Sequence, residues 1–186
     1  MEAKKFATYD DLLKVPPELI AEIIAGQLIT SPRPGPRHVR ASSKLGIKIG
    51  GPFDEGNDGP GGWWILDEPE IHLDGNVLVP DLAGWKKEIT PKLPTENHYF
   101  DIAPQWVCEI LSKSTAGIDR VKKMPIYAKA KVENVWLIDP EIKTLEVFSR
   151  HEQGWFLRHT FSEDDIVRAT PFEAVEMALG ALWLPD

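Results

Sequence analysis

The sequence predicts an α/β fold (α+β in some schemes), with a mixed central sheet and extra hairpins before and after it. Three observations predict it. Apolar, β-branched runs recur at Val77–Trp85, Trp106–Leu111 and Val135–Ile138, as buried strands require. A helical stretch from Ser114 or Thr115 to about Lys131 separates the last two runs, which implies a crossover and a parallel pair. Turn signals at Ala25-Gly26, Asp74-Gly75-Asn76 and Gln153-Gly154 divide the remaining apolar segments into hairpins.

Taken in order, Thr8 is the expected N-cap of a short helix, with Asp10 and Asp11 in its first turn. Pro16-Pro17 ends that helix. Leu19–Thr30 then reads as a hairpin, although a helix through Glu18–Ala25 competes with it. A Pro-rich connection over Ser31–Gly35 leads to a helix from His38 to about Lys48, with Val39, Leu45 and Ile49 towards the core. Gly50–Gly62 is rich in Gly, Asn, Asp and Pro and reads as a loop. It lacks the spacing of a phosphate-cradling loop.

Three strands follow, at Trp63–Leu66 (with an extension through Ile71–Leu73), Val77–Trp85 and Trp106–Leu111. A polar excursion over Lys86–Ala103 separates the last two, which are free to lie side by side. In the next helix Val121, Met124 and Ala128 share an apolar face, while Asp119, Lys123 and Tyr127 share another at i, i+4, i+8. Val135–Ile138 stops at Asp139-Pro140, and Thr144–Ser149 pairs with Trp155–Phe161. A short helix from Phe172 closes the chain.

The 186 residues fit one domain, 1–186, with a sizeable core. Seven Trp and seven Phe supply large apolar side chains. The paired Trp63 and Trp64 are expected in the core on one side and at an interface on the other. No apolar run approaches the roughly 18–20 residues of a membrane helix, and no signal-peptide core follows Met1–Lys5. The single cysteine, Cys108, excludes an internal disulfide and fits a reducing cytoplasm. Its apolar neighbours make it a small core residue, whereas His98 and His159 lack paired ligand spacing and read as surface groups.

A net charge of −8 weighs against strong non-specific nucleic-acid binding. The charge is uneven, however. No acid lies between Ile23 and Phe53, where Arg33, Arg37, Arg40, Lys44 and Lys48 fall. Asp119 alone opposes six basic residues between Ile110 and Val132. These stretches read either as solvated helix faces or as receivers of a phosphate backbone.

Asp81 and Glu109 are the candidate chemistry. Each is a carboxylate in or beside a buried strand, costly unless paired, hydrogen-bonded or metal-bound. Two such acids on neighbouring strands repel unless one is protonated or a cation lies between them. Mg²⁺ suits one or two carboxylates plus phosphate, and the Ile110 carbonyl would complete a half-shell. Lys123 supplies the cation that phosphodiester hydrolysis needs near its developing charge. The competing account has Asp81 closing a turn after Pro80 and Glu109 pairing with a lysine. A two-carboxylate glycosidase would have no need of the basic helices.

The ordered segments Ala21–Leu28, Pro36-Arg37-His38, Pro80-Asp81-Leu82, Glu109–Thr115, Asp119–Lys123 with Tyr127, and Trp136–Pro140 carry a resemblance. Over about residues 8–184 the chain resembles the Uma-type family of bacterial putative restriction endonucleases, in the PD-(D/E)xK nuclease superfamily. The resemblance implies a restriction-endonuclease-like αβββαβ core, Mg²⁺- (or Mn²⁺-) dependent cleavage of DNA, and a homodimer. It carries over Asp81 and Glu109 as metal ligands, Lys123 as the catalytic lysine and Glu22 as a further site residue. His38 matches a common family histidine, and with Arg37, Arg40 and Lys122 of the basic stretches it makes the expected DNA contacts. The superfamily's lysine two residues after the glutamate is Leu111 here, as in this family generally. Pro125 departs from the family pattern and predicts a kink or late helix start, which sets Lys122 against Lys123 for the lysine role. A catalytically inactive nuclease-fold module that binds DNA or protein is the alternative function.

Overall fold

The computed structural model describes residues 6–152 and 154–185. Residues 1–5, read above as free of a signal-peptide core, and the turn residue Gln153 lie outside the described residues. The opening helix α1, Tyr9–Leu12, carries the expected cap. The Thr8 side chain accepts from the Asp11 N–H, and the Asp11 carboxylate accepts from the Thr8 N–H. Strands β1 (Leu19–Ile24) and β2 (Gln27–Pro32) form the predicted hairpin. Ala25 and Gly26 both take positive φ at its turn, as a two-residue hairpin turn demands.

Helix α2, Pro36–Ile49, starts two residues earlier than expected, with Pro36 pre-set for its first turn. Ala41, Leu45 and Ile49 face the core at i, i+4, i+8. Val39 does not. It lies two residues from Ala41, on the opposite side of the helix, and is 47% exposed. The expected loop after α2 is also corrected, because Gly50–Glu55 continues as a π-helical segment. Phe53 explains it: buried on the same core as Ile49, it contributes roughly 1.5–3 kcal/mol. That matches the ~1 kcal/mol that each of Gly50 and Gly51 costs in a helix. Gly56, at φ 77°, then ends the segment.

Strands β3 (Trp63–Asp67), β4 (Ile71–Leu73), β5 (Asn76–Leu78) and β6 (Leu82–Lys86) come next. The single strand expected over Val77–Trp85 is therefore two, in different sheets. Pro80 lacks an N–H and cannot extend a ladder, so the chain leaves one sheet there and enters the other. Trp63 is buried in the core, while Trp64 is half-buried: its Nε1–H donates to the Thr90 carbonyl, and Lys87 lies 4.2 Å over its ring.

Strand β7 (Trp106–Ile110) leads to a helical stretch built from α3 (Ala116–Ile118), a π-helical turn (Asp119–Lys123) and α4 (Met124–Lys129). The wider turn directly precedes Pro125 and accommodates the missing amide donor, so the stretch continues without a late start. Val121 is 72% exposed, not core. The buried face carries Asp119, Lys123, Met124, Tyr127 and Ala128. Strands β8 (Asn134–Asp139), β9 (Thr144–His151) and β10 (Gly154–Ser162) follow as expected. The tail forms a two-stranded ribbon, β11 (Ile166–Val167) with β12 (Met177–Ala178), and a 3₁₀ turn over Leu179–Leu182. No helix starts at Phe172, whose ring instead enters an aromatic cluster with Phe53, Trp63, Trp106 and Trp136.

The large sheet runs β10-β9-β8-β7-β6-β3 and the smaller one β2-β1-β5-β4. Within the large sheet β7 and β8 are parallel and their neighbours antiparallel, so the sheet is mixed as predicted. Alternation along β7 sends Trp106, Cys108 and Ile110 into a core with α2 and the tail. Val107 points the other way, into a core with α4 and the smaller sheet. Glu109 shares the parity of Val107.

Candidate active site

The pairing of β6 with β7 brings the two acids together. Leu82 faces Cys108 and Ala83 faces Val107. One further step of that register sets Asp81 opposite Glu109, on the same face of the sheet. Both side chains line one cavity of about 220 Å³, with Glu22, His38, Asp119 and Lys123. Arg33, Ser112 and Thr115 line it too.

Each acid is held at both oxygens. Asp81 Oδ2 accepts from the Ile110 N–H at 2.7 Å, and Oδ1 lies 2.5 Å from His38 Nε2. Glu109 Oε1 accepts from the Tyr127 hydroxyl at 2.5 Å, and Oε2 from Lys123 Nζ at 3.3 Å. Lys123 Nζ also lies 3.0 Å from Glu22 Oε1 and 3.2 Å from Asp119 Oδ1. Glu22 in turn accepts from the Val79 N–H at 2.8 Å. The β1–β2 hairpin thus supplies Glu22, α2 supplies His38, and the π-helical turn supplies Asp119 and Lys123.

Three buried carboxylates therefore face one ammonium, which is itself only 4% exposed. Burial pushes Glu109 well above the usual carboxylate range, against the pull of Lys123. Burial likewise raises Glu22 and Asp119, and Lys123 again opposes the shift. Burial alone would lower Lys123, but Glu109, Glu22 and Asp119 reverse it and hold the amine well above its ordinary value. Burial lowers His38, and the bond and charge of Asp81 more than offset that, leaving it raised. Burial and then Glu109 push the Tyr127 hydroxyl well up, so it remains a donor.

The donor chemistry fits a hard divalent cation. Asp81 and Glu109 offer oxygen ligands on one cavity wall, beside an excess of negative charge. Among the described residues no three His, Cys, Asp or Glu side chains converge into a self-sufficient metal site. A two-carboxylate site completed by waters and phosphate is the form Mg²⁺ commonly takes.

The family model described as Uma2, putative restriction endonuclease, matches residues 6–180. The chain belongs to the Uma2 family. The curated proteins give no match. Among solved structures, this Uma2 chain is similar to a putative nuclease belonging to DUF820 from Anabaena variabilis ATCC 29413, at 24% identity and a TM-score of 0.74. The likeness covers 95% of this chain and 97% of that one, and it shows the shared fold. Family and fold together support a nuclease. No helix among the described residues is long and apolar enough to cross a membrane.

Of the residues singled out in the sequence, Asp81, Glu109, Lys123, Glu22 and His38 meet in the cavity. Lys122 is exposed and does not line it. Arg37 stands at a neighbouring cleft, 4.0 Å from Glu141. The Arg40 guanidinium donates to the Ala181 carbonyl at 3.4 Å. Arg33 and the Ser112–Thr115 hydroxyls were not singled out as site residues. Arg33 lies in the acid-free basic stretch, and Ser112–Thr115 follow Glu109 directly, which are the only signals that mark them.

Proposed function

We propose that this Uma2 chain is a metal-dependent DNA endonuclease that hydrolyses phosphodiester bonds through a Mg²⁺-activated water. One observation carries the reading: Asp81 and Glu109 share a cavity wall beside a buried cluster short of positive charge. Asp81 and Glu109 would hold Mg²⁺ or Mn²⁺. When bound, the metal acidifies a water and polarises a phosphoryl oxygen. Lys123 holds a fixed positive charge beside the place where transition-state charge develops. Glu22 and Asp119 keep that ammonium inside the cavity. His38, Arg33 and Arg37 lie where a phosphate backbone would approach. A homodimer belongs to the same reading and is checked by sedimentation.

The deciding experiment is cleavage of supercoiled and linear duplex DNA with Mg²⁺, Mn²⁺ or chelator, for wild type, Asp81→Ala and Glu109→Gln. Cleavage should require the metal and fall by at least about 10²-fold in either variant. Wild-type cleavage that persists undiminished in Asp81→Ala would sink the proposal.

A second reading is a nuclease-fold module that binds DNA or protein without turnover. The net charge of −8 and Leu111 in the superfamily's lysine position favour it. It expects salt-sensitive DNA binding with no cleavage by wild type.

A further inference from the structure

The two acids share a pattern. Each has one oxygen held by a neutral donor within the fold, the Ile110 N–H for Asp81 and the Tyr127 hydroxyl for Glu109. The other oxygen of each meets a group that carries or can carry positive charge, His38 for Asp81 and Lys123 for Glu109. A neutral donor in the packed interior stays when a cation arrives. The oxygen that faces a cationic partner is the one a metal would share, with Lys123 still held in the cavity by Glu22 and Asp119.

The Ile110 N–H belongs to β7 and cannot be removed without altering the strand. Tyr127 is different. Its ring packs in the core with Val107 and Leu137, where a phenyl ring alone would fill the same space. Its hydroxyl lies 2.5 Å from Glu109 Oε1, and both residues are buried. Ring burial does not explain a hydroxyl aimed at a carboxylate.

We propose that Tyr127 is a positioning residue: its hydroxyl anchors Glu109 Oε1, so that Oε2 alone is presented to the cation site. This rests on Asp81 and Glu109 holding the metal. Tyr127 itself touches neither metal nor substrate. It fixes which oxygen of Glu109 faces the cavity and limits rotation of the carboxylate. Groups that orient ligating side chains in this way typically govern metal affinity by about 10–100-fold.

The test is Mn²⁺ binding without DNA, by calorimetry, for wild type, Tyr127→Phe and Asp81→Ala, with thermal melting as the check on folding. Tyr127→Phe should stay folded and bind Mn²⁺ about tenfold more weakly. Tyr127→Phe binding as tightly as wild type overturns the assignment and leaves the metal reading intact. Wild type that binds no Mn²⁺, or Asp81→Ala that binds normally, overturns the metal reading and the assignment with it. If Tyr127→Phe fails to fold, Glu109→Gln is added. Recovery of folding shows that the hydroxyl acts through Glu109, because the buried charge it served has gone. No recovery reduces Tyr127 to core packing.

Discussion

Lys123 Nζ lies 3.3 Å from Glu109 Oε2, in a pocket that also holds Glu22 and Asp119 against the same ammonium. Lys123→Met leaves three buried carboxylates without their counter-charge. Removing one partner of a buried ion pair costs about 3–5 kcal/mol. Urea unfolding should show that loss, and added Mg²⁺ should restore part of it. Lys122→Ala, on the exposed side, should stay within about 0.5 kcal/mol of wild type.

The same cluster sets a pH dependence. Glu109, Glu22 and Asp119 titrate above their ordinary values in the fold, chiefly through burial. A raised folded pKa adds stability that is complete below the unfolded pKa and drains away as pH rises through the folded one. His38, raised by Asp81 against its burial, acts with the same sign at higher pH. Metal-free protein should therefore resist urea better near about pH 5.5 than near about pH 8 in what these groups contribute. Glu109→Gln should flatten the slope; a slope of opposite sign that the variant removes would contradict the account.

Phe172 ties the tail to the large sheet. Its ring lies 4.7–5.6 Å from those of Phe53, Trp63, Trp106 and Trp136. Phe172→Ala should cost roughly 3–5 kcal/mol, read as a lower urea midpoint with unchanged slope. A change under about 1 kcal/mol would mean the cluster closes over the gap.

Gly84 sits under three side chains. A Cβ there would come within 3.1 Å of Ile65 Cδ1 and Trp63 Cε3, and 3.2 Å of Trp106 Cε3. Gly84→Ala overpacks the sheet, at about 1–3 kcal/mol. The melting temperature should drop by about 2–4 °C per kcal/mol.

The strands were legible because β-branched runs and turn residues mark them directly. The order of those runs left the strands of Asp81 and Glu109 free to lie side by side, and the β6–β7 register is what sets the two acids opposite each other. Two helix faces were misread for related reasons. Val121 belonged to an apolar stripe at good spacing, yet the buried face of its helix carries Asp119 and Lys123. Apolar periodicity cannot identify a face whose interior partners are charges. Val39 shows the same limit, since the phase of α2 is set by Ala41 and Leu45, one of them too small to announce itself. The break at Pro80 was visible in the sequence, but its meaning, a change of sheet, depends on the pairing of Val77 with Ile23 across the chain. Phe172 gave no local sign of its destination, because its partners come from four distant segments.

That change of sheet has a mechanical result. Glu22 belongs to the smaller sheet, Glu109 to the larger, and Asp81 to the short span between them. The acids can keep their spacing only while the two sheets stay docked. The Lys123 ammonium, which meets both Glu22 and Glu109, acts as a bolt across that seam. If the β1–β2 hairpin opens, the large sheet keeps its own ladder of hydrogen bonds, yet the pocket loses a wall and a counter-ion partner. The geometry of the pocket is therefore less durable than the fold that bears it, and heat or denaturant should disperse the acids before the six-stranded sheet melts.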